Sequence, residues 1–482
     1  MKKALAFLAL LVAGCALGPN YKRPWVPMTA TFRGQPTAEA ASFADLPWWE
    51  VFRDRELAIL LREALANSYD LKDAIARVAV ARQNARISTD ALLPSISVDG
   101  GPSYQQVFSP FTGLPGVPGG NFRYSAYVAE ARLSWELDLW GRLRRLRQSA
   151  FADFLASEDN RRGVIVSLIG DVAQGYFNLQ SLDLQLEVAR RTVVSRGQTL
   201  DLFVKREVGG VGDHLETSSQ QASLAQAQGT VPNLERQIAQ AENQLSVLIG
   251  RPPGSIARTR QFLPAAAPPP QPLGLPGALL ERRPDVRSAE ARMISANAQV
   301  GAAFAALFPS LTVTANGGVE SASLVTLFTT GALTFGVGLV VNWLAPLFNG
   351  AANAHRYRAQ QAGFDVAVAD YRRTVLGALG DVANAQVQIK KLGEVRVALE
   401  AEVAARIESV RLAKVRFGNG VASYLDVVQA EQNLFGSELS LAQTIGAQFV
   451  GWTQLYRALG GGWELPAPAP AAARDRESRA GR

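Results

Sequence analysis

Residue types that carry out catalysis or bind metals are scarce in this 482-residue chain. It has one cysteine, Cys15, and two histidines, His214 and His355. One thiol cannot form an internal disulfide, and a Cys/His zinc site needs more ligands than these residues supply. Neither histidine has a Ser, Cys or metal-ligand partner at a useful spacing. We therefore predict no catalytic residue and no bound metal or cofactor.

The chemistry expected at Cys15 is acylation. Residues 1–14 have the layout of a secretory signal, and their apolar run over 4–12 is too short to cross a bilayer as a helix. Residues 11–15, Leu-Val-Ala-Gly-Cys, resemble a bacterial lipobox, whose cysteine is diacylated and becomes the first residue of the mature chain. Acyl chains on Cys15 anchor a protein without crossing the membrane. The alternative is an ordinary signal peptide, in which this cysteine has no role.

The rest of the chain contains two copies of one unit. Leu93–Val98 recurs as Phe308–Val313, and Gly170–Ala173 recurs as Gly380–Ala383, at shifts of 215 and 210 residues. Solenoid repeats are roughly 20 to 50 residues long, so this period indicates a duplicated half-domain. The predicted order is an extended N-terminal segment (15–56), a first repeat (57–250), a proline-rich linker (251–274), a second repeat (275–464) and a disordered tail (465–482).

Each copy contains one long stretch without proline, which predicts a very long helix over 146–208 and over 351–417. Twelve positions at heptad spacing run from 165 to 200 and from 375 to 410, and all but Arg396 are apolar. This pattern predicts supercoiled helices with a continuous contact line. At 1.5 Å per residue such a helix is about 95 Å long, which predicts a rod or a tube. Shorter helices are predicted over 57–90, 213–249, 275–307 and 421–459.

Two segments of each copy alternate between apolar and polar residues. The predicted strands cover 93–103, 124–137, 308–317 and 333–343. In 124–137 the apolar residues share one face, and Glu130 and Arg132 lie on the other. Alternation over about 10 residues, apolar outward and polar inward, is typical of transmembrane barrel strands. Trp135 and Trp343 end their strands on the apolar face, which predicts aromatic residues at the membrane interface.

The apolar segment 324–347 has an alternative interpretation as a membrane-spanning helix. Gly336, Gly338 and the period of two favour strands, as do the charges in the matching segment of the first copy. Four strands cannot close a barrel, and open edges are not tolerated in hydrocarbon. Two chains supply eight strands, whose side chains nearly fill the interior, whereas three chains supply twelve and leave a pore. We therefore predict an oligomer.

Three motifs follow one another in an order that resembles a known family. Residues 15–24 (Cys-Ala-Leu-Gly-Pro-Asn-Tyr-Lys-Arg-Pro), 48–57 and 280–290 look like successive signatures of the TolC-like outer membrane factors, in the lipoprotein branch of tripartite efflux systems. The resemblance covers nearly the whole mature chain. It implies a mainly α fold with a transmembrane β-barrel: a homotrimer with a twelve-stranded barrel in the outer membrane and a periplasmic tube of coiled-coil helices.

The resemblance also implies a function and partners. It implies a passive, gated exit duct for small toxic compounds and drugs, in the outer membrane of a Gram-negative bacterium. The partners would be outer membrane lipid, a periplasmic adaptor protein and an inner membrane pump of the resistance-nodulation-division type. A type I protein-secretion duct, a metal-efflux duct and a non-conducting coiled-coil envelope lipoprotein remain alternatives, although three methionines do not support a metal duct. An enzyme is not expected, and a net charge of +7 does not suggest nucleic acid.

The resemblance places a periplasmic gate at the turns that follow the long helices. Residues 417–427 match the gate motif, so Asp426 is implied as a member of an acidic ring, with Glu216 as its equivalent in the first copy. Gln429 stands where relatives often have a second aspartate, and Ala422 where some carry arginine. Alternatively, both acids simply occupy solvated first turns, where the helix dipole favours them. The turn glycines, which are also expected to dock the adaptor, are Gly209, Gly210, Gly212, Gly418 and Gly420.

A basic cluster lies at the start of the first long helix. It consists of Arg142, Arg144, Arg145 and Arg147. A cluster just below a barrel can face lipid headgroups or solvent, and we expect a solvated helix face.

Overall fold

The computed structural model of the protein describes residues 16–32, 42–47, 51, 54–109, 120–258, 273–329, 331–342 and 349–463. Cys15, Trp343, the signal over 1–14, most of the linker and the tail over 465–482 lie outside these residues, so the predictions made for them stay predictions. The elements of the first repeat are α1 (Arg55–Asn67), α2 (Tyr69–Asp90), β1 (Ser95–Ser109), β2 (Gly120–Leu137), α3 (Arg142–Val208) and α4 (His214–Leu248). Those of the second are α5 (Leu279–Arg282), α6 (Pro284–Ala305), β3 (Ser310–Ser321), β4 (Ala332–Asn342), α7 (Gly350–Gly418) and α8 (Tyr424–Ala458).

Two of the predicted shorter helices are each divided, and the prediction of continuous helices there is wrong. The helix expected over 57–90 is interrupted at Ser68, whose ψ of 130° is not helical. The helix expected over 275–307 is interrupted at Arg283, which has φ −75° and ψ 120°. Arg283 precedes Pro284, whose ring disfavours the helical conformation of the residue before it.

The predicted contact line on the long helices α3 and α7 is shielded from solvent. Each of the twelve heptad positions is buried or half-buried. Ile165, Val172 and Val382 are among the most deeply buried of them. The one polar position, Arg396, is half-buried and donates from Nε to Glu400 (2.8 Å). Its charge is therefore neutralised at the edge of the apolar seam.

The four strands form one antiparallel sheet in the order β1-β2-β3-β4. The strand β1 extends to Ser109 and β2 begins at Gly120, so both run further into the intervening segment than predicted. The strand β3 covers Ser310–Ser321, and β4 confirms the strand interpretation for the part of segment 324–347 that it occupies. The strands β1 and β4 form the two edges of the sheet.

The strand register aligns the side chains into one apolar and one polar face. Ile96 lies opposite Leu133, Leu133 opposite Ala315, and Ala315 opposite Val337, which forms an apolar row across all four strands. The next row holds Ser97, Arg132, Asn316 and Gly336. On the edge strands the apolar face is open: Val98 and Phe335 are each 79% exposed. The predicted alternation is thus confirmed, and none of the described residues covers the apolar face.

The chain divides into two compact units. One comprises Met1–Trp25, Arg77–Glu158 and Ser288–Tyr371, and it contains the sheet. The other comprises Val26–Ala76, Asp159–Arg287 and Arg372–Arg482. Among the described residues, no helix is both long enough and apolar enough to cross a membrane.

Candidate functional site at the helix turns

The two long helices end in turns of the same geometry. Gly210 and Gly420 both have a φ of +73°, a conformation that side chains other than glycine rarely adopt. Val211 donates its backbone N–H to Arg206 O, and Val421 donates to Arg416 O, each over 3.0 Å. The returning helices begin with side-chain caps, Asp213 for α4 and Ser423 for α8. The reversal predicted at the turn glycines is therefore present in both copies.

The predicted gate residues lie directly after these turns. Glu216 occupies the first turn of α4 and Asp426 the first turn of α8, and Gln429 follows one turn later on the same helix. The side chains of Asp426 and Gln429 are exposed, and that of Glu216 is half-buried. Within the described part of the chain, neither Asp426 nor Glu216 forms an ion pair. Their position fits both the acidic ring and the alternative of acids favoured by the helix dipole.

An aromatic cluster beneath the turns joins the two copies. The ring centroids of Phe203 and Tyr424 are 3.9 Å apart, and those of Phe417 and Tyr424 are 5.1 Å apart. Val427 and Val428 complete the buried core. This cluster connects the end of α3 with the turn between α7 and α8, so the two hairpins are packed together at the site.

Polar groups are buried beside this cluster. Gln220, fully buried on α4, donates from Nε2 to the Tyr424 hydroxyl (2.6 Å). Burial raises the pKa of Tyr424, so its hydroxyl is neutral at ordinary pH. Arg196 is 1% exposed and donates from Nη1 to Ser223 O (2.6 Å), and burial lowers the pKa of its guanidinium. Within the described residues, its Nε and Nη2 atoms have no hydrogen-bond partner.

The sequence places Tyr424 in the gate motif without predicting its burial, and it does not identify Gln220 or Arg196. Tyr424 stands where the first copy has His214 when the turns are aligned, and the two side chains have different environments. The His214 side chain is 83% exposed and its Nδ1 lies 2.9 Å from Glu207 Oε1, whereas Tyr424 is buried. The difference between His214 and Tyr424 at matching positions of the two copies is the sequence feature that could have indicated a buried aromatic residue here.

Of the other three predicted site residues, Trp135 lies within the described part of the chain. Trp135 lies on the apolar face of β2, is partly exposed, and donates from Nε1 to Leu92 O (3.0 Å). Cys15 and Trp343 lie outside the described residues. Among the described residues, no group of three or more His, Cys, Asp and Glu side chains is arranged to hold a metal ion.

A duplicated, mainly helical chain with a two-faced sheet and paired turns defines a class of outer membrane channel proteins. Residues 60–251 and 275–461 match the outer membrane efflux protein family. The chain is 31% identical over 466 residues to the toluene efflux pump outer membrane protein TtgC of Pseudomonas putida, covering 95% of both chains. It is 29% identical over 465 residues to the outer membrane protein OprJ of Pseudomonas aeruginosa, again covering 95% of both.

Solved structures show the same fold. The outer-membrane channel OprN superposes with a TM-score of 0.83 at 29% identity, over 93% of this chain and 100% of that one. The open state of the Neisseria gonorrhoeae MtrE outer membrane channel gives 0.80 at 28% identity, over 94% and 100%. The chain belongs to the outer membrane efflux protein family. The predicted family and fold class are confirmed, and the protein is an outer membrane efflux channel component, not an enzyme.

The buried bond between Gln220 and Tyr424 predicts an asymmetric mutational response. Tyr424→Phe leaves the buried Gln220 amide without its acceptor, and we expect the free energy of unfolding to fall by about 1–3 kcal/mol. Adding Gln220→Leu removes the unpaired group and should recover most of this loss, as a double-mutant cycle of thermal unfolding by circular dichroism measures.

Tyr357→Phe is the matched control, because the Tyr357 hydroxyl accepts from Gln361 Nε2 (3.0 Å) on an exposed helix face. This variant should change stability by no more than about 0.5 kcal/mol. A Tyr424→Phe protein as stable as the control would contradict the expectation.

Proposed function

We propose that three copies of the chain form a passive, gated exit duct for small toxic compounds through the outer membrane. The observation that carries the proposal is the two-faced sheet, whose two edge strands pair with no further strand in the part of the chain that the structure describes. In hydrocarbon, the unpaired backbone groups along β1 and β4 each cost several kcal/mol, which is why membrane-spanning sheets close on themselves. Pairing β1 of one chain with β4 of the next satisfies both edges.

The dimensions of the strands support this closure. A transmembrane strand needs about 9–11 residues, and the four strands have 15, 18, 12 and 11 residues. Three chains supply twelve strands, which leave an open lumen. The polar face then lines this lumen, where water solvates the ion pairs that Arg132 makes with Glu130 and with Asp99.

Exposed apolar side chains on α7 support assembly of the helices as well. Leu376, Val387, Val397 and Leu412 are all exposed in the single chain. At about 100° per residue, their spacings of 11, 10 and 15 residues place them within an arc of about 80°, so they share one side of the helix. An adjacent copy of the chain would cover this side.

The gate proposal assigns Asp426 and Glu216 to an acidic aperture, with Gln429 beside it. Threefold repetition brings several unpaired carboxylates into one narrow opening. Such rings concentrate cations and repel anions. Among the described residues, Asp426 and Glu216 have no ion partner within the chain. Their negative charges would therefore act on ions that enter the opening.

The turns also present an apolar docking surface, which we assign to a periplasmic adaptor. Val211, Leu215, Val421 and Leu425 are exposed at the turns, around the glycines that form the reversal. Relatives such as TtgC carry names that make them components of efflux pumps. We extend this to an adaptor and an inner membrane pump of the resistance-nodulation-division type, which would supply the energy for transport.

The cargo and the anchor are inferred in the same way. Relatives are named for toluene, solvent or antibiotic efflux, which favours small toxic compounds over polypeptides or metal ions as the cargo here. Acyl chains on Cys15 would tie the protein to the outer membrane in addition to the barrel.

Neutralising the gate should change conductance. We expect Asp426→Ala combined with Glu216→Ala to raise the resting single-channel conductance and to reduce cation preference in planar bilayers, because the ring loses its charge. Asp201→Ala is the control, since Asp201 belongs to an exposed pair with Lys205 on α3. Records that match the unmodified channel would remove both acids from the gate.

Charges on the two faces of β4 should have different effects. Leu339→Arg places a charge on the lipid-facing side, which costs about 2–4 kcal/mol near the membrane midplane. We expect fewer folded trimers by gel mobility and light scattering. Thr334→Arg, on the polar face of the same strand, should assemble normally. Equal trimer yields for the two variants would contradict the assignment of the faces.

The turn surface can be tested by adaptor capture. Val211→Asp together with Val421→Asp should weaken binding of a purified cognate adaptor by about tenfold or more, because burying an unpaired charge is costly. Val247→Asp, at an exposed position near the other end of α4, is the control. Unchanged crosslinking of the turn variant would exclude this surface.

A further inference from the structure

The basic cluster at the start of α3 is largely paired within the chain. Arg142 donates from Nε and Nη2 to Glu136 (3.0 and 2.7 Å), and Arg144 donates from Nε to Asp138 (3.1 Å). The expectation of a solvated basic face is therefore wrong for these two residues, because the adjacent acids are within bonding distance.

Two arginines are almost completely buried among the described residues, Arg145 at 4% and Arg196 at 1% exposure. The guanidinium of Arg145 is satisfied by residues 17–20: Nε donates to Leu17 O (3.2 Å), and Nη2 donates to Gly18 O (3.3 Å) and Asn20 Oδ1 (2.9 Å). Arg196 on α3 is not satisfied in this way. Buried polar groups without partners are rare in folded proteins, and each one needs an explanation.

The Arg196 side chain lies between the two helical hairpins. Its Nη1 donates to Ser223 O (2.6 Å) on α4, in the same hairpin. Its Cζ lies 5.4 Å from the centre of the Phe435 ring on α8, so the guanidinium also reaches the second hairpin. The face of an aromatic ring attracts the positive charge but cannot replace a hydrogen-bond acceptor. In the described part of the chain, the Nε and Nη2 atoms have no such acceptor.

The buried face of α8 carries a carboxylate in the same region. Glu431 lies seven residues after Tyr424 and four before Phe435, so the three residues share one side of the helix. The side chain of Glu431 is 10% exposed, and its Oε1 lies 2.7 Å from Lys414 Nζ on α7. Within the described ranges, Oε2 has no hydrogen-bond partner. The charge of Glu431 raises the pKa of Arg196 against the effect of burial, so the two groups interact without a direct bond.

Further acceptors on α4 are buried next to these charges. Gln220 donates from Nε2 to the Tyr424 hydroxyl (2.6 Å), but its Oε1 atom is unpaired among the described residues, as is Ser223 Oγ. Donors from α3 and acceptors from α4 and α8 are thus buried together without direct contact. A water molecule can bond to both kinds of group, and a buried water typically makes about three hydrogen bonds to otherwise unpaired groups.

We propose that ordered water molecules bind between Arg196, Glu431 and Gln220, and that this hydrated cluster positions the two hairpins at the gate. The inference rests on the proposed function, because the gate acids are assigned to these hairpins. Glu216 precedes Gln220 by four residues, and Asp426 precedes Glu431 by five. At 1.5 Å per residue, each gate acid lies about 6–8 Å along its helix from the cluster.

The cluster restricts the hairpins in a way that the neighbouring aromatic rings do not. Apolar contacts tolerate small displacements, whereas hydrogen bonds have preferred distances and directions and strengthen one another in a buried network. Arg196 belongs to the first hairpin and Glu431 to the second, so a water bridge between them fixes one hairpin relative to the other. Both are positioning residues, because their buried side chains do not contact the transported compound.

The first test detects the water in the full-length trimer in detergent. X-ray radiolysis followed by mass spectrometry oxidises a buried side chain where bound water supplies hydroxyl radicals. We expect Tyr424 to be oxidised several times faster than Tyr176, which is fully buried and donates its hydroxyl to Asp54 Oδ2 (3.0 Å). A Tyr424 ring oxidised no faster than that of Tyr176 would overturn the water site.

The second test measures the positioning role by single-channel recording in planar bilayers. Arg196→Met keeps the apolar stem and removes the donors, and Glu431→Gln removes the charge at nearly constant volume. We expect each variant to raise the resting conductance at least about twofold, and the combined variant to raise it by less than the product of the two effects, because the sites are coupled. If Arg196→Met yields too few trimers, the combined variant replaces it, since it leaves no lone buried charge.

Arg406→Met is the matched control. Arg406 stands at the equivalent position of the second copy, where its half-exposed side chain pairs with Glu402 (3.4 Å), and its loss should leave conductance unchanged. A channel that responds to the paired replacement of Asp426 and Glu216 but not to Arg196→Met would remove only this inference. Trimers that conduct no ions at all would instead remove the proposed duct.

Discussion

The unpaired backbone edges of β1 and β4 are the constraint on which the rest of the molecule depends. A sheet with one apolar and one polar face suits a boundary between lipid and water, yet its two edge strands have no second partner strand among the described residues. In water such edges invite aggregation, and in lipid they are not tolerated. In the proposed trimer, pairing with identical chains would satisfy these edges and would also cover exposed apolar positions of the long helices.

The two copies share their helices and turns, but matching residues have different partners and different exposure to solvent. The motif Gly-Asp-Val-Ala occurs in both copies, but Asp171 pairs with Arg457 (3.2 Å) and Asp381 with Arg283 (3.0 Å). Burial alone would raise the pKa of Asp285, but the hydrogen bond and the charge of the same Arg283, together with backbone N–H donors, outweigh burial and lower the pKa. At the turns, His214 faces solvent where Tyr424 enters the core. Equal backbone geometry with unequal side chains thus leaves His214 in solvent and places Tyr424 in the core.

Periodicity explains what could be predicted from the sequence. The heptad positions of α3 and α7 and the alternation in β2 and β4 are local patterns. They directly predict which side of each helix or strand is buried or apolar. The contacts that sequence reasoning missed join distant positions. Gln220 and Tyr424 are 204 residues apart, and Arg145 and Leu17 are 128 residues apart. A single sequence carries no periodic signal for such pairs, and the break at Ser68 likewise leaves the apolar pattern intact.

Arg145, buried at the start of α3, holds residues 17–20 chiefly through the main-chain carbonyl oxygens of Leu17 and Gly18. The segment fits against the helices because Gly18 and Gly141 have no side chains. Recognition of this kind depends on the path of the backbone and only weakly on residue identity, apart from Asn20. Leu17 can therefore change without loss of the bonds it accepts, whereas adding one methyl group to either glycine would displace the segment. During evolution, we expect this segment to tolerate changes in side-chain polarity but not added side-chain volume at the two glycines.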